Sequence, residues 1–344
     1  MASMKAVCIK NDVGPATALY IDTVPIPVLT PGQVLVKVHA FGLNRMDLLQ
    51  REGKYPLPPQ APKTLGVEFS GQIVEVYSEP GKPGERKIGI FEVGDEVFGL
   101  AYGGAYAQKI AVSTDTIMKR TNNISIETAA GIPETWMTAT QALFQVGCFK
   151  EGEAVLLHAG ASGVSIAAIQ LAKSNGASAV YVTAGSQEKI DFCVNELGAT
   201  AGFNYKTQDF AEQILKATNG RGVDVIVDYV TGQGYLEKDI MCAALDGRVV
   251  ILGLMGGLKT DEPIDIGAIL RKRVRIEGST LRSRDLDYLR ALRQKLEDES
   301  ITLFHDNSFK VPIEKVFNWT DIVEAHQLME SNNTRGKIIC IVDH

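Results

Sequence analysis

Alternation dominates the first third of the chain. In "PGQVLVKVHAFG" a Pro-Gly turn leads into Val34, Val36 and Val38 set against Lys37 and His39. That period of two marks a half-buried strand. "GVEFSGQIVEV" and "VGDEVFGL" extend the pattern, separated by the Gly/Pro-rich loop "SEPGKPGERK". Short strands joined by such turns predict a small barrel or sandwich. His39 falls on the polar face and is expected to point to solvent. From about Ile132 the rhythm changes to near-continuous apolar runs: "AVLLHA", "AVYVTA", "VDVIVDYV", "RVVILGL" and "RVRIEGS". Parallel strands covered on both faces require such runs. Helix-like segments between them predict βαβ units and a doubly wound α/β sheet. After Ser279 come the charged helical segments "RDLDYLRALRQKLEDES" and "TDIVEAHQLMES", then a last strand, "GKIICIVD".

"VLLHAGASGVSIAAIQLAKSNG" supplies strand, tight turn and helix in order. Gly160 and Gly163 fall in the turn, where a missing Cβ lets backbone amides approach a pyrophosphate. Val164, Ala167, Ala168, Leu171 and Ala172 form one apolar helical face, and Gly176 is placed to end the helix. Ser165 stands where the usual fingerprint has a third small residue. A nucleophile elbow around Ser162 would need glycine at Val164, and no acid and histidine partners follow it.

One dinucleotide feature is missing. The stretch "YVTAGSQEK" lies where an acid would hold the ribose 2′-hydroxyl, yet it offers Gly185, Ser186 and Lys189. Ser186 reads as an ordinary helix N-cap, but a capping box would place Glu or Gln where Lys189 stands. A cation in a first turn opposes the helix dipole, and a nearby anion removes that cost. The 2′-phosphate of NADPH fits: Ser186 donates, Gly185 allows close approach and Lys189 supplies charge. Glu188 is the alternative, as a displaced ribose ligand for NADH.

Composition narrows the classes. The 344 residues carry 45% hydrophobic and 22% charged side chains, enough for roughly two well-packed domains. A net charge of −6 argues against nucleic acid or anionic membrane as the main partner. Cys8, Cys148, Cys193, Cys242 and Cys340 are dispersed, which suits reduced thiols better than disulfides or a zinc lobe. The five histidines form no metal-binding pair, so no metal is expected. Neither a signal segment nor a membrane-length apolar run is read, which makes a cytoplasmic location the default.

Taken together, "GLNRMDLLQREGKY", "IPETWMTATQAL", "HAGASGVSIAAIQLAK", "VTAGSQEK", "AGFNYK", "LDGRVVILGLMGG" and "LRSRD" resemble the zinc-free, zeta-crystallin-like quinone oxidoreductases of the medium-chain dehydrogenase/reductase superfamily. The similarity spans the chain from about Met4 and is greatest to the tumour-suppressor-inducible NADPH branch. It implies a discontinuous GroES-like catalytic domain over 1–131 and 282–344, with a Rossmann NADPH-binding domain over 132–281. Zinc-bearing cousins have Cys at Asn44 and His at Val67, so both ligands are replaced here. The resemblance puts Gly160, Gly163 and Val164 at the pyrophosphate. It puts Gly185, Ser186, Lys189 and Tyr205 around the 2′-phosphate, and Gly253, Leu254 and Lys337 along the rest of the cofactor groove. Asn44, Tyr55 and Thr138 would flank the nicotinamide and the quinone. Their plainer readings are a loop-turn Asn, an exposed aromatic and a helical Thr bonded to its own backbone.

Quinones are already electrophilic, so proximity in a dry cleft supplies most of the catalysis and no single indispensable acid or base is expected. Tyr55 or Asn44 would stabilise oxyanion charge. The branch also implies one-electron outcomes that yield semiquinones. Reduction of an enone or enoyl double bond, with Tyr55 as proton donor, is the enzymatic alternative. An NADPH-gated RNA-binding protein is the alternative of another class, motivated by Arg271, Lys272, Arg273 and Arg275 in "RKRVRIEG"; a charged edge strand explains that run better. The resemblance implies a homodimer paired through "RVRIEGS", with a tetramer left open.

Overall fold

The computed structural model describes residues 2–79, 86–260 and 263–344. The central part of the expected "SEPGKPGERK" loop lies outside the described residues. Two compact units account for the chain: the part up to Met137 together with Arg282–His344, and Thr138–Leu281.

The first unit is β-rich. A seven-stranded sheet runs Ile313–Asn318, Lys337–Ile341, Gln33–Gly42, Glu68–Val76, Glu96–Leu100 and Ile117–Lys119, with Lys109–Ser113 also paired to Gln33–Gly42. Ser3–Ile9 and Leu19–Pro25 form a separate antiparallel ribbon. The last strand of the chain pairs antiparallel with Gln33–Gly42, matching Cys340 with Phe41, so both ends of the sequence build one core. Val34, Val36 and Val38 are fully buried, as their alternation predicts. His39 departs from expectation. It is half-buried, with Nδ1 3.6 Å from the Glu96 carboxylate, because strand Glu96–Leu100, one beyond Glu68–Val76 in the sheet, brings an acid within reach.

The second unit holds six parallel strands in the order Ala201–Asn204, Ala179–Ala184, Ala154–Leu157, Val223–Asp228, Ala243–Ile251 and Arg275–Gly278. Chain direction around the sheet reverses between Ala154–Leu157 and Val223–Asp228, the switch point where such sheets take ligands at their carboxyl ends. Every residue of Val223–Asp228 is buried, which is why its sequence shows no alternation. Helix Gly163–Ser174 starts at Ser162, whose hydroxyl accepts from Ser165 N, and it stops before Gly176 at φ 78°. The helix differs from the single apolar face expected: residues 165–172 are buried all round, Ile166 and Ile169 included, while Val164 is only half-buried.

The basic run "RKRVRIEG" is occupied within the chain. Lys272 Nζ donates to the carbonyls of Ile240, Met241 and Ala243, Arg273 pairs with Asp246, and Arg271 pairs with Asp265. Arg275 donates to Val146 O. Strand Arg275–Gly278 forms the edge of its sheet. Among the described residues, no helix is long and apolar enough to cross a membrane.

Candidate active site

In the second unit, the residues expected around a dinucleotide collect at the carboxyl ends of the strands. Gly160 follows Ala154–Leu157, Gly185 and Ser186 follow Ala179–Ala184, Tyr205 follows Ala201–Asn204, and Gly253 with Leu254 follow Ala243–Ile251. The Gly160 amide donates to Thr183 O, and a Cβ there would lie 2.8 Å from Val182 Cβ; packing alone therefore demands this glycine. Ser165, the small residue of the fingerprint, is buried and donates to His158 O at 2.7 Å, tying helix to strand. Ser162 acts as an N-cap, as described above, so the elbow geometry is absent.

Around Gly185 the structure brings three groups together. A Cβ on Gly185 would sit 2.8 Å from Tyr205 Oη and 3.2 Å from Lys206 Cε, so only glycine permits this approach. Tyr205 is exposed at 44%, and its ring edge faces Tyr235 at a centroid distance of 6.3 Å. Ser186 caps helix Gln187–Asp191, its Oγ accepting from Lys189 N at a long 3.4 Å. The ordinary N-cap is thus real, and the hydroxyl hydrogen remains a donor. Lys206 is a cation that sequence reasoning passed over; its signal was adjacency to Tyr205 in "FNYK".

The same edge carries a group missed from sequence. His158 Nε2 lies 2.8 Å from Asp239 Oδ1 and His158 Nδ1 lies 2.9 Å from Thr183 Oγ1, with Asp228 close by and all three ionisable groups fully buried. Burial lowers the imidazole to about 4 and so keeps it neutral. Burial likewise raises both carboxyls, Asp228 to about 6. Asp228 Oδ2 and Asp239 Oδ2 are both buried with no hydrogen-bond partner among the described residues. The trio is a buried polar cluster beneath the nucleotide edge.

The first unit gathers acids. Asn44 precedes helix Arg45–Arg51; its backbone N donates to Asp47 Oδ2 at 2.8 Å, and its Nδ2 donates to Glu68 Oε1 at 2.9 Å. Asn44 is 8% exposed, not the open loop-turn residue of the plainer reading. Lys337 corrects the sequence reading. Its side chain is buried, and Nζ donates to Leu43 O (2.7 Å), Asn44 Oδ1 (2.8 Å) and Glu68 Oε1 (2.5 Å), so no N–H is left for a cofactor. Gly42 makes room for this: a Cβ would stand 2.4 Å from Glu68 Oε1. Glu68 Oε2 accepts from Glu134 N at 2.9 Å. Sequence reasoning gave Glu68 no role, although a charge inside "GVEFS" was its visible signal.

Asp47 is fully buried, and burial raises its carboxyl to about 6. Burial, reinforced by the Glu68 charge, raises Glu134 to about 8. Tyr55 is half-buried under the Arg282 guanidinium, 5.5 Å from its ring centroid. Desolvation raises its phenol, and Glu134 adds to that shift. Thr138 opens the second unit. Its Oγ1 is buried with no hydrogen-bond partner among the described residues, which sets aside the backbone-bonded reading. Thr135 holds that bond instead, to Gly131 O at 2.9 Å.

Residues 30–122 match the family described as alcohol dehydrogenase GroES-like domain, and residues 163–296 match zinc-binding dehydrogenase. The quinone oxidoreductase of Mus musculus is 33% identical over 287 residues, covering 81% of each chain. A low-reducing polyketide synthase, drtA of Aspergillus calidoustus, is 31% identical over 93% of this chain, which spans only 13% of that protein. Among solved structures, the quinone oxidoreductase from Coxiella burnetii superposes with a TM-score of 0.79 at 30% identity, covering 99% of this chain and 100% of its own. The CurK enoyl reductase superposes with a TM-score of 0.82 at 26% identity, covering 99% of both chains.

Proposed function

The chain belongs to the quinone oxidoreductase family of medium-chain dehydrogenases/reductases, and from that premise we propose that it reduces ortho- and para-quinones with NADPH and without zinc. The observation that carries the coenzyme choice is the approach of Tyr205 and Lys206 to Gly185 beside the helix start capped by Ser186; with Lys189 in that first turn, these residues would offer hydroxyls and charge in place of a carboxylate. The fit is chemical: a 2′-phosphate takes hydrogen bonds from hydroxyls and charge from ammonium groups, which a bare ribose does not need. NADPH, when bound, supplies the hydride. Gly160, Gly163 and Val164 form the pyrophosphate turn, and Gly253 and Leu254 complete the groove.

Zinc independence rests on the donor set. Asn44 and Val67 stand in place of sulfur and imidazole ligands, and the Glu68 carboxylate is already balanced by the Lys337 ammonium. A second cation there would face that ammonium directly. Asn44 is held in one orientation and keeps one amide N–H for an acceptor oxygen; Tyr55 adds a phenol, and the Thr138 hydroxyl is unmatched. The likeness to an enoyl reductase favours, as a second reading, the reduction of an activated double bond. A homodimer joined at edge strand Arg275–Gly278 accompanies either reading.

Replacing Lys189 tests the coenzyme assignment. One charge-assisted phosphate contact contributes about 1.5–3 kcal/mol, or roughly 10- to 100-fold. Lys189→Ala should therefore raise the Michaelis constant for NADPH by about that factor and leave NADH within roughly 2-fold. Equal changes for both coenzymes would count against the 2′-phosphate site. A panel of quinones, enones and trans-2-enoyl thioesters, read by NADPH oxidation and by electron paramagnetic resonance, separates the substrate classes and the electron count.

A further inference from the structure

The first unit leaves two buried polar atoms unmatched beside Tyr55. Glu134 Oε2 has no hydrogen-bond partner among the described residues, and neither does Arg282 Nη2. Buried polar atoms are ordinarily paired, so an exception needs a reason. Here the surroundings are fully committed. Arg282 Nη1 is held by Gln50 Oε1 at 2.7 Å and its Nε by Tyr102 O at 2.5 Å, which aims the remaining nitrogen. Glu134 is anchored through its own backbone N to Glu68, whose charge is held by Lys337 and Asn44. Glu134 and Arg282 are close enough for each one's charge to shift the other's ionisation, and both shift that of Tyr55.

We propose that the Glu134 carboxyl donates the proton that completes reduction of the acceptor, while Arg282 Nη2 holds the acceptor's oxygen. This rests on the reductase reading above. Hydride arrives on the acceptor with its electron pair, NADPH being oxidised to NADP⁺, and leaves the acceptor as an anion beside the guanidinium. The Glu134 O–H bond then breaks. Its proton passes to the quinone oxygen, or to the α-carbon of an enone, and the bonding pair stays behind as carboxylate. Solvent returns a proton before the next turnover.

The charges facing Glu134 explain why it keeps its proton. Lys337 and Arg282 favour a carboxylate, but burial, joined by the charges of Glu68 and Asp47, outweighs both cations. An acid poised at about 8 is mostly protonated near neutrality yet gives up its proton readily, and so is well matched to proton donation there. Tyr55 is the poorer donor, because burial and the neighbouring Glu134 push its phenol upward. Substrate chemistry sharpens the expectation. A quinone reduced by hydride is a phenolate that water can protonate after release, whereas an enolate needs its proton delivered to carbon.

Infrared difference spectra of the full chain without coenzyme read the acid directly. Wild type should show a protonated-carboxyl band that vanishes with a midpoint about 8, is missing in Glu134→Gln, and moves when a para-substituted phenol is bound. Subtracting the variant separates this band from those of Asp47 and Asp228. With NADPH, Glu134→Gln should lower kcat about 100-fold for enones and less for quinones, and should lack the alkaline decline expected of wild type. A band that persists in Glu134→Gln, or a variant that keeps the wild-type rate and its alkaline limb, overturns the proposal. A wild-type protein that turns over neither acceptor class overturns the reductase reading, and the donor role with it.

Discussion

Lys337→Met should destabilise the first unit by about 3–5 kcal/mol, the loss typical when one member of a buried ion pair is removed. Methionine keeps much of the apolar stem, so the change isolates the ammonium. Three bonds disappear at once, to Leu43 O, Asn44 Oδ1 and Glu68 Oε1. The greater cost lies with Glu68, which is fully buried and would keep only Asn44 Nδ2 and Glu134 N against its charge. Gly42, packed against Glu68 Oε1, leaves no space for a compensating side chain. Glu68→Gln in the same background should recover most of the loss, because it removes the uncompensated charge as well. Denaturant unfolding of the single and double variants measures this. A Lys337→Met loss below about 0.5 kcal/mol, the range of an ordinary surface change, would show that the network carries no weight in the fold.

The parts of this protein that follow from local pattern were legible in its sequence; the parts that depend on distant segments meeting were not. Period-two alternation located strand Gln33–Gly42, and unbroken apolar runs located Val223–Asp228, because burial on one face or two leaves a direct imprint on side-chain choice. Strand Ala201–Asn204 is short and at an edge, and it left a weaker imprint. Gly185 and Ser186 could be named because they follow a strand end in order, whereas Tyr205 came from the resemblance. Lys337 was placed in the cofactor groove on resemblance alone. Only the pairing of Lys337–Ile341 beside Gln33–Gly42 shows its ammonium turned onto Leu43, Asn44 and Glu68. Glu134 stood in the quoted "IPETW" without a role, since one acid in a helix start reads as a dipole partner until its surroundings are known. His158, Asp228 and Asp239 come from three separate segments, and only the sheet order brings them together.

Glu134→Gln should make the protein more stable at alkaline pH even as it impairs turnover. The sign follows from linkage. Glu134 has its folded value raised to about 8 from an ordinary 4.5, so folding favours the protonated acid. Below about 4.5 the acid is protonated in both states and the variant gains nothing. As pH rises from there, the unfolded chain gives up its proton while the folded chain holds on, and wild type loses stability until the folded group also ionises near 8. Glutamine has no proton to lose and escapes that decline. The difference should grow across this window to the order of 3 kcal/mol, allowing for partial solvent screening of a half-buried group, and then level off. Urea unfolding of both proteins at several pH values measures it, and a gap that is constant with pH would mean that Glu134 is ionised throughout. A side chain that costs stability where the enzyme works, and that is removed at a gain, is held in place by chemistry and not by packing.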